Sequence, residues 1–516
     1  MPDLLKKMSE FQRQHPVAAI SRAFGLIKGN MITILVFLYV GSQSESFSFW
    51  IWLGGGAAFL LTAGFLNWWR FLFKIEDDTL HIKRGIFVRR DLYMTRDRVQ
   101  VIDITSGIIE RAFGLVRLTI QTAGSGSRQA VIEAISVDQA NLINDQLMNK
   151  QATESDGEFP PEESSLNSDI IQTIRLPNKE LLIAASTSGS FGIALSLIAT
   201  LFSQIEPILS NSRFYEEALR LIPAQTDGMV VVTTILIFVI FAWLISFAST
   251  LLTFGNFQID IKKDELVVSR GIFEKKKITV PFNRIQAIHI TEGIIRQPLG
   301  YASVHLESAG YGDEQGSGSF VLMPLIKAGN ILSFLEETVP GYYQMAPAIH
   351  PPAKALRRYI VRSSLIVTVV VAAAFWILEL NFLIWILPAL SILWGWLRYK
   401  AAAVGRHPDF FILRSRFISR STAFIRRNRV QDMTLHQSII QRYRGLCTLT
   451  IYVASGDHGK SFSVTDLDYE IGSALLESFI TGGFHQPEEL SFKSDSLPDW
   501  SRETIHKSEP LIDKRS

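Results

Sequence analysis

Three stretches of the sequence place an arginine, a β-branched residue and a glutamine in a row. They are "RVQVIDITSGIIERAFG" from residue 98, "RIQAIHITEGIIRQPLG" from residue 284 and "RVQDMTLHQSIIQRYRG" from residue 429. Guanidinium and amide groups are donors suited to phosphate or carboxylate oxygens. In a strand, Arg98 and Gln100 face the side opposite Val99, and Arg284 with Gln286 and Arg429 with Gln431 do the same. Such a face can hold a headgroup or a peptide, or it can anchor the strand's own edge. The chain around these stretches is basic: residues 83–98 hold six Lys/Arg against two acids, 262–284 seven against three, and 398–429 nine against one. The residues to weigh as lipid or partner ligands are Arg84, Arg89, Arg90, Arg98, Arg270, Lys275, Lys276, Lys277, Arg284, Arg426, Arg427 and Arg429. Near an anionic bilayer each such charge contributes about 1 kcal/mol, screened over about 8 Å. The same clusters also serve as topology signals on the cytoplasmic flank of a membrane helix. No stacking aromatics are interleaved with them, so nucleic acid is not an expected partner.

Other chemistry finds little support. The sequence has no HExxH, CxxC, P-loop or Gly-x-Ser-x-Gly motif. Its ten histidines nowhere show metal-ligand spacing on one element. His289 and His305 fall in expected strands, but the corresponding places elsewhere hold Asp103 and Thr434, and Thr119 and Thr450. A repeated function would repeat its residues. The single cysteine, Cys447, lies in "LCTLTIYVA" and is expected to be a core thiol. "GSGS" at 124–127 and at 316–319 resembles a phosphate cradle but opens no helix, so loops are expected. No catalytic, cofactor-binding or metal residue is assigned, no cofactor is expected, and the chain is not expected to be an enzyme.

These residues must be carried on something. Of 516 residues 47% are apolar and 19% charged, below the ~25% usual for soluble domains, with a net charge of +2. Six apolar segments come in pairs: 23–41 with 47–66, 181–202 with 229–252, and 360–378 with 382–397. About 20 apolar residues suffice for a helix to cross a bilayer. The loops inside the pairs carry 2 of the 51 basic residues, so each pair reads as a hairpin with both ends, and both termini, in the cytoplasm. No cleavable signal is expected at the start. Ionisable residues in the spans are confined to Lys28 and Arg362 near helix starts and Glu379 at an outer end. That weighs against ion coupling, though a lipid-handling or transport protein remains the rival reading.

After each hairpin the period changes to that of strands, and a closing helix follows, with Ser136 or Asp138 as its cap in the first case. The repeat signature includes Gln100, Gln286 and Gln431 and the glycines Gly114, Gly300 and Gly445. The expected organisation is hairpin 1 over 15–70, module 1 over 71–150, an acidic linker over 151–173, hairpin 2 over 174–254 and module 2 over 255–340. A Pro-rich linker (341–355), hairpin 3 (356–400), module 3 (401–485) and a polar tail (486–516) complete it. Strands closed by a helix suggest a small barrel or sandwich.

With "RGIF", "R(V/I)Q", "GII" and "TAG" following a hairpin, the chain resembles the bacterial pleckstrin-homology-like membrane proteins, in their long form with three units, over about residues 15–485. The resemblance implies an α+β membrane protein with six transmembrane helices as three hairpins, each followed by a cytoplasmic PH-like β-barrel module with a C-terminal helix. It also implies a part in cell-envelope stress or antimicrobial resistance, no catalytic residues, and a short single-unit PH-like membrane protein as partner beside anionic lipid headgroups. The third unit departs from the pattern. Arg416 replaces Gly85 and Gly271, and Ser438 replaces Gly107 and Gly293, so its turns are expected to differ.

Overall fold

Apolar helices in this chain run directly into strands. The computed structural model describes residues 8–21; 47–122 without 77, 86 and 87; 129–148; 170–200 without 190, 193 and 197–199; and 228–481 without 310, 312–317, 340, 343–347, 379, 380, 408, 457 and 458. In the first repeat, β1 (Gln12–Arg13) precedes α1 (Phe47–Arg70). There follow β2 (Leu72–Glu76), β3 (Thr79–Arg84), β4 (Arg90–Thr95), β5 (Val99–Ser106), α2 (Ile108–Ala112), β6 (Leu115–Thr122), β7 (Gln129–Ser136) and α3 (Val137–Met148). The second repeat has β8 (Ile170–Arg175), α4 (Asn178–Ser186), α5 (Gly228–Phe254), β9 (Gln258–Lys262), β10 (Glu265–Arg270), β11 (Lys275–Pro281), β12 (Ile285–Glu292), β13 (Tyr301–Ser308), β14 (Ser319–Lys327) and α6 (Ile331–Thr338). The third has β15 (Ala348–Ile349), α7 (Ala353–Leu378), α8 (Ile386–Ala401), β16 (Ala403–His407), β17 (Phe410–Arg416), β18 (Arg420–Arg426), β19 (Val430–His436), α9 (Ile439–Tyr443), β20 (Leu446–Val453), β21 (Lys460–Asp468) and α10 (Tyr469–Thr481).

Alternation builds the first module. In β2 the Phe73 and Ile75 side chains turn inward while Lys74 and Glu76 turn out, as a period of two requires. The inward residues of β2–β4 meet those of β5–β7, and α3 closes the core with Ala140, Ile143 and Leu147. Ser136 caps α3: its hydroxyl accepts from the Gln139 amide at 3.2 Å, and the Gln139 side chain accepts from the Ser136 amide. The third module repeats the plan around Leu449, Ile451, Val464 and Leu475. At the signature glycines the chain turns back after β5 and its counterparts, with φ of +66° at Gly114, +70° at Gly300 and +60° at Gly445. Only glycine takes these values without strain.

Two expectations are met only in part. Of the six expected spans, three among the described residues are helices long and apolar enough to cross a membrane: Ile235–Phe254, Ala353–Ile377 and Phe382–Ala401. The segment 23–41 lies outside the described residues, as do 201–227. Helix α1 is 24 residues long, and many of its side chains lie outside the described residues. Helix α4 ends at Ser186, where "STSG" supplies hydroxyls that compete for the backbone and a glycine that propagates a helix poorly. The acidic linker and the tail also lie outside the described residues.

Nor does the strand order describe closed barrels. The sheets read β1-β2-β3-β4, then β7-β6-β5-β11-β10-β9-β8, then β14-β13-β12-β18-β17-β16-β15, then β19-β20-β21. Each seven-stranded sheet joins the last three strands of one repeat to the first four of the next. The outer edge of β5 finds its partner in β11, and that of β12 finds it in β18. The chain accordingly divides into two compact bodies at Pro281/Phe282, inside the second repeat and not between repeats.

Candidate functional site

The turn between the third and fourth strands of a repeat sits on the end of its membrane-type helix. In the second repeat the Gly271 amide donates to the Gly255 carbonyl at 2.7 Å and the Ile272 amide to Leu252 of α5 at 2.9 Å. In the third, the Trp394 indole of α8 donates to the Phe417 carbonyl at 3.0 Å and Arg398 Nε to the Arg416 carbonyl at 3.1 Å. The "GII" segment of the preceding repeat comes to the same place. Arg111 of α2 donates to the Ile272 carbonyl at 3.0 Å, and Arg416 donates to the Gln297 side chain.

Both turns present apolar side chains to solvent. Ile108 is 63% exposed, Ile294 52%, Ile439 90% and Phe417 76%. Ile295, Ile440, Phe113, Leu299, Phe273, Ile418 and Tyr443 are exposed as well. Single exposed apolar residues mean little, but a set recurring in all three repeats beside helix ends marks an interaction surface. The paired isoleucines are among the residues shared by all three repeats; Ile108, Ile294, Ile295, Ile439 and Ile440 are exposed, whereas Ile109 is half-buried against Val17, Ala18, Leu115 and Ala134.

The basic residues fall into two groups by height on the strands. Arg84, Arg89, Arg90, Arg270, Lys275, Lys276 and Lys277 lie at or near the turn that meets the helix end in the second repeat, or at its counterpart in the first. Of these Arg89, Arg90, Lys275 and Lys277 are exposed. Lys276 is committed to Asp103 at 2.8 Å, and the Arg270 guanidinium lies 5.1 Å from the centre of the Phe254 ring. Arg98, Arg284, Arg426, Arg427 and Arg429 lie at the opposite end of the same strands, about 20 Å away for a six-residue strand. Several hold the structure there. Arg427 donates to the Ser478 carbonyl at 2.7 Å, Arg429 to the Asn283 carbonyl at 2.6 Å, and Arg426 stacks 4.5 Å over Tyr342. Arg426 and Arg427 also line a cleft with Gly341, Asp409, Phe410, Asn428 and Phe479, where Asp409 opposes an anion. Gln100 and Gln286 are buried, whereas Gln431 is exposed.

A buried polar group that the sequence does not single out is Asp466. It is fully buried in β21, in a left-handed conformation at φ +57°. Its carboxylate is ion-paired with Arg358 at 3.0 Å and accepts from Arg362 at 3.2 Å, both on α7, and from Gln441 at 2.9 Å. This ties the third module to its helix. His289 and His305 stack with ring centres 4.8 Å apart, and His289 Nδ1 stands 3.2 Å from the buried Glu307. Burial pushes the Glu307 carboxyl up, but the His289 imidazole, the Ser455 hydroxyl and Lys460 outweigh it and hold the group below its ordinary range. Ser455 donates its proton to Glu307 and not to an imidazole, which is no nucleophile relay. Cys447 is a core residue whose thiol is pushed up to about 12 by burial, then by Asp468 and Asp466. Among the described residues no His, Cys, Asp and Glu cluster is fit to hold a metal.

A family model described as bacterial PH domain matches residues 23–151, 217–338 and 361–478. The transmembrane protein YdbT of Bacillus subtilis (strain 168) is 34% identical over 485 residues, which cover 91% of this chain and 98% of that protein.

Proposed function

Because the chain belongs to the bacterial PH domain family, as a transmembrane protein with that domain repeated three times, we propose that it is a membrane-held binding scaffold whose modules dock on the cytoplasmic leaflet. The observation that carries this reading is the exposed apolar turn pair, repeated beside the ends of membrane-type helices. Apolar side chains entering the interface and bases around them act together on an anionic surface. Arg89, Arg90, Lys275 and Lys277 are placed for headgroups; the bases at the far end of the strands lie beyond a Debye length of about 8 Å.

The experiment uses full-length protein in nanodiscs with a fluorophore on Ile108→Cys, which shares the Lys275–Lys277 turn through Arg111 and Ile272. Native Cys447, buried and protonated, stays unlabelled. Lipid-borne quenchers should reduce the emission in discs containing phosphatidylglycerol. Lys275→Glu with Lys277→Glu, or high salt, should weaken the quenching. Emission indifferent to lipid and salt sinks the reading.

The membrane topology proposed is three hairpins with both termini in the cytoplasm. Reporter fusions after Gln43, Gln225 and Glu379 should lie outside, and those after Lys150, Ala346 and Ser516 inside. A cytoplasmic signal at Gln43 or Gln225 removes a hairpin. The scaffold's further partner in this proposal is a short single-unit PH-like membrane protein, and the setting is protection of the cell envelope against membrane-active compounds.

A further inference from the structure

Beside the end of a membrane-type helix stands a buried arginine that lacks a counter-charge. Arg416 closes β17 with 8% of its surface exposed. Its side chain donates to the Gln297 amide oxygen, and its guanidinium lies 5.9 Å from the centre of the Trp394 ring. Its Nε is buried with no hydrogen-bond partner. Arg414, two residues earlier on the same strand face, is spent on the Ala401 carbonyl at 3.0 Å. Arg420 lies directly across the ladder from Arg416 and takes both oxygens of Glu292. Among the described residues, then, three guanidiniums share one face of the β17–β18 hairpin with a single carboxylate, and that carboxylate is occupied. Burial pushes Arg416 below its ordinary range, Arg420 pushes the same way, and Glu292 opposes them only in part. A desolvated guanidinium whose neighbours are a cation, an indole and a neutral amide is short of one anion.

Its place names the anion. The carbonyls of Arg416 and Phe417 are held by Arg398 and Trp394, one helical turn apart on α8. Trp394 precedes the helix end at Ala401 by about 10 Å at 1.5 Å per residue. The hairpin tip therefore runs back along α8 toward the membrane, to the level where tryptophans mark the interface. Lipid phosphates are the anions concentrated there. Phe417 and Ile418 stand exposed next to Arg416, apolar neighbours for the acyl chains of the same lipid. The joint of the first two repeats brings an arginine to the equivalent place from the other side, since Arg111 corresponds to Gln297 and Gly271 to Arg416. Arg111 is exposed and donates to the Ile272 carbonyl, so water screens it. Only the joint of the second and third repeats buries the charge.

We propose that Arg416, with Gln297 and Trp394, binds the phosphate of one anionic phospholipid of the cytoplasmic leaflet. This rests on the reading that these turns face the leaflet, and it adds a single headgroup site to the diffuse attraction of Lys275 and Lys277. A guanidinium suits that ligand because its fixed, planar donors match phosphate oxygens, and because it is less strongly hydrated than an ammonium and so tolerates the dry side of the interface.

The test is thermal unfolding of the full chain in maltoside micelles free of lipid, phosphate and sulfate, with dioleoylphosphatidylglycerol then titrated in. Without lipid, Arg416→Gln should melt at or above the wild type, because it removes a buried charge that lacks its counter-ion. With lipid the order should reverse. The wild type gains stability, and Arg416→Gln needs about tenfold more phosphatidylglycerol for the same gain, the loss of one charge-assisted bond. Arg416→Lys keeps the charge and should retain the response. Dioleoylglycerol, which lacks the phosphate, and inorganic phosphate, which lacks the chains, should each leave the wild type unchanged. If Arg416→Gln is less stable by the same amount with and without lipid, the residue is structural and the proposal is overturned. Equal titration of the two proteins overturns it too, as does stabilisation by inorganic phosphate alone, which assigns the site to a free anion. In those cases quenching at Ile108→Cys in nanodiscs decides the docking reading separately: if it persists in Arg416→Gln that reading stands, and if it is absent from the wild type both fall.

Discussion

Replacing Asp466 with glycine is expected to lower the stability of the third module by about 3–5 kcal/mol, the cost of stranding the charged partners of a buried carboxylate. Asp466 has no exposed surface, is ion-paired with Arg358 and takes hydrogen bonds from Arg362 and Gln441. Glycine isolates the charge because φ at this position is +57°, a conformation glycine accepts more readily than aspartate. Backbone relief therefore works against the loss and makes the test conservative. Asp466→Asn should fall between, since an amide oxygen still accepts one bond from an arginine. Thermal unfolding of the full chain in nanodiscs reads the effect, and proteolysis of the module reports where it lies. Destabilisation below about 1 kcal/mol, the level of an exposed pair, would show that Asp466 does not anchor the module to α7.

Gly271→Arg should cost about 3 kcal/mol or more through strain and collision. Gly271 sits at φ +104°, and a Cβ there would lie 1.9 Å from the Glu274 carbonyl oxygen. The third repeat holds an arginine at the equivalent position without penalty. There the hairpin pairs one residue further, Arg416 with Arg420, so position 416 belongs to a strand and not to a left-handed turn. In the second repeat the turn's amides are bonded to the end of α5, which leaves no freedom to rearrange. The variant should melt earlier and lose the lipid-dependent quenching at Ile108→Cys, whose segment is bonded to this turn through Arg111. An unchanged melting temperature would mean that the second hairpin can switch to the third repeat's geometry.

The triplication, the strands of each module and the closing helices are all legible without coordinates, because each is written in local periods: two for β2, three to four for α3. The altered turn of the third repeat was also legible, as Arg416 in place of glycine. The other replacement, Ser438, has a different meaning. Gly107 lies at an ordinary extended φ of −73° before α2, and Ser438 at the same place caps α9 in a box with Gln441. Substitution there improves a cap and bends nothing.

What local pattern cannot state is which partner completes an interaction. The two edges of β5 offer the same amides and carbonyls, and nothing in "VQVIDITS" says that one of them belongs to β11, some 170 residues on. Barrel closure and inter-repeat pairing satisfy those groups equally well, and only the assembled fold chose. The basic runs show the same limit. Nine bases in 398–429 read as one charged surface. Yet Arg414 is buried on the Ala401 carbonyl, Arg420 is paired with Glu292 and Arg427 holds the end of α10. A guanidinium's charge follows from its sequence, but its availability depends on which carbonyl or carboxylate distant segments bring within 3 Å. The amino-acid sequence thus determined the repeat, its elements and its apolar helices through local periodicity. Tertiary structure decided which strand edges and which charges were left open, because those depend on partners far away in the chain.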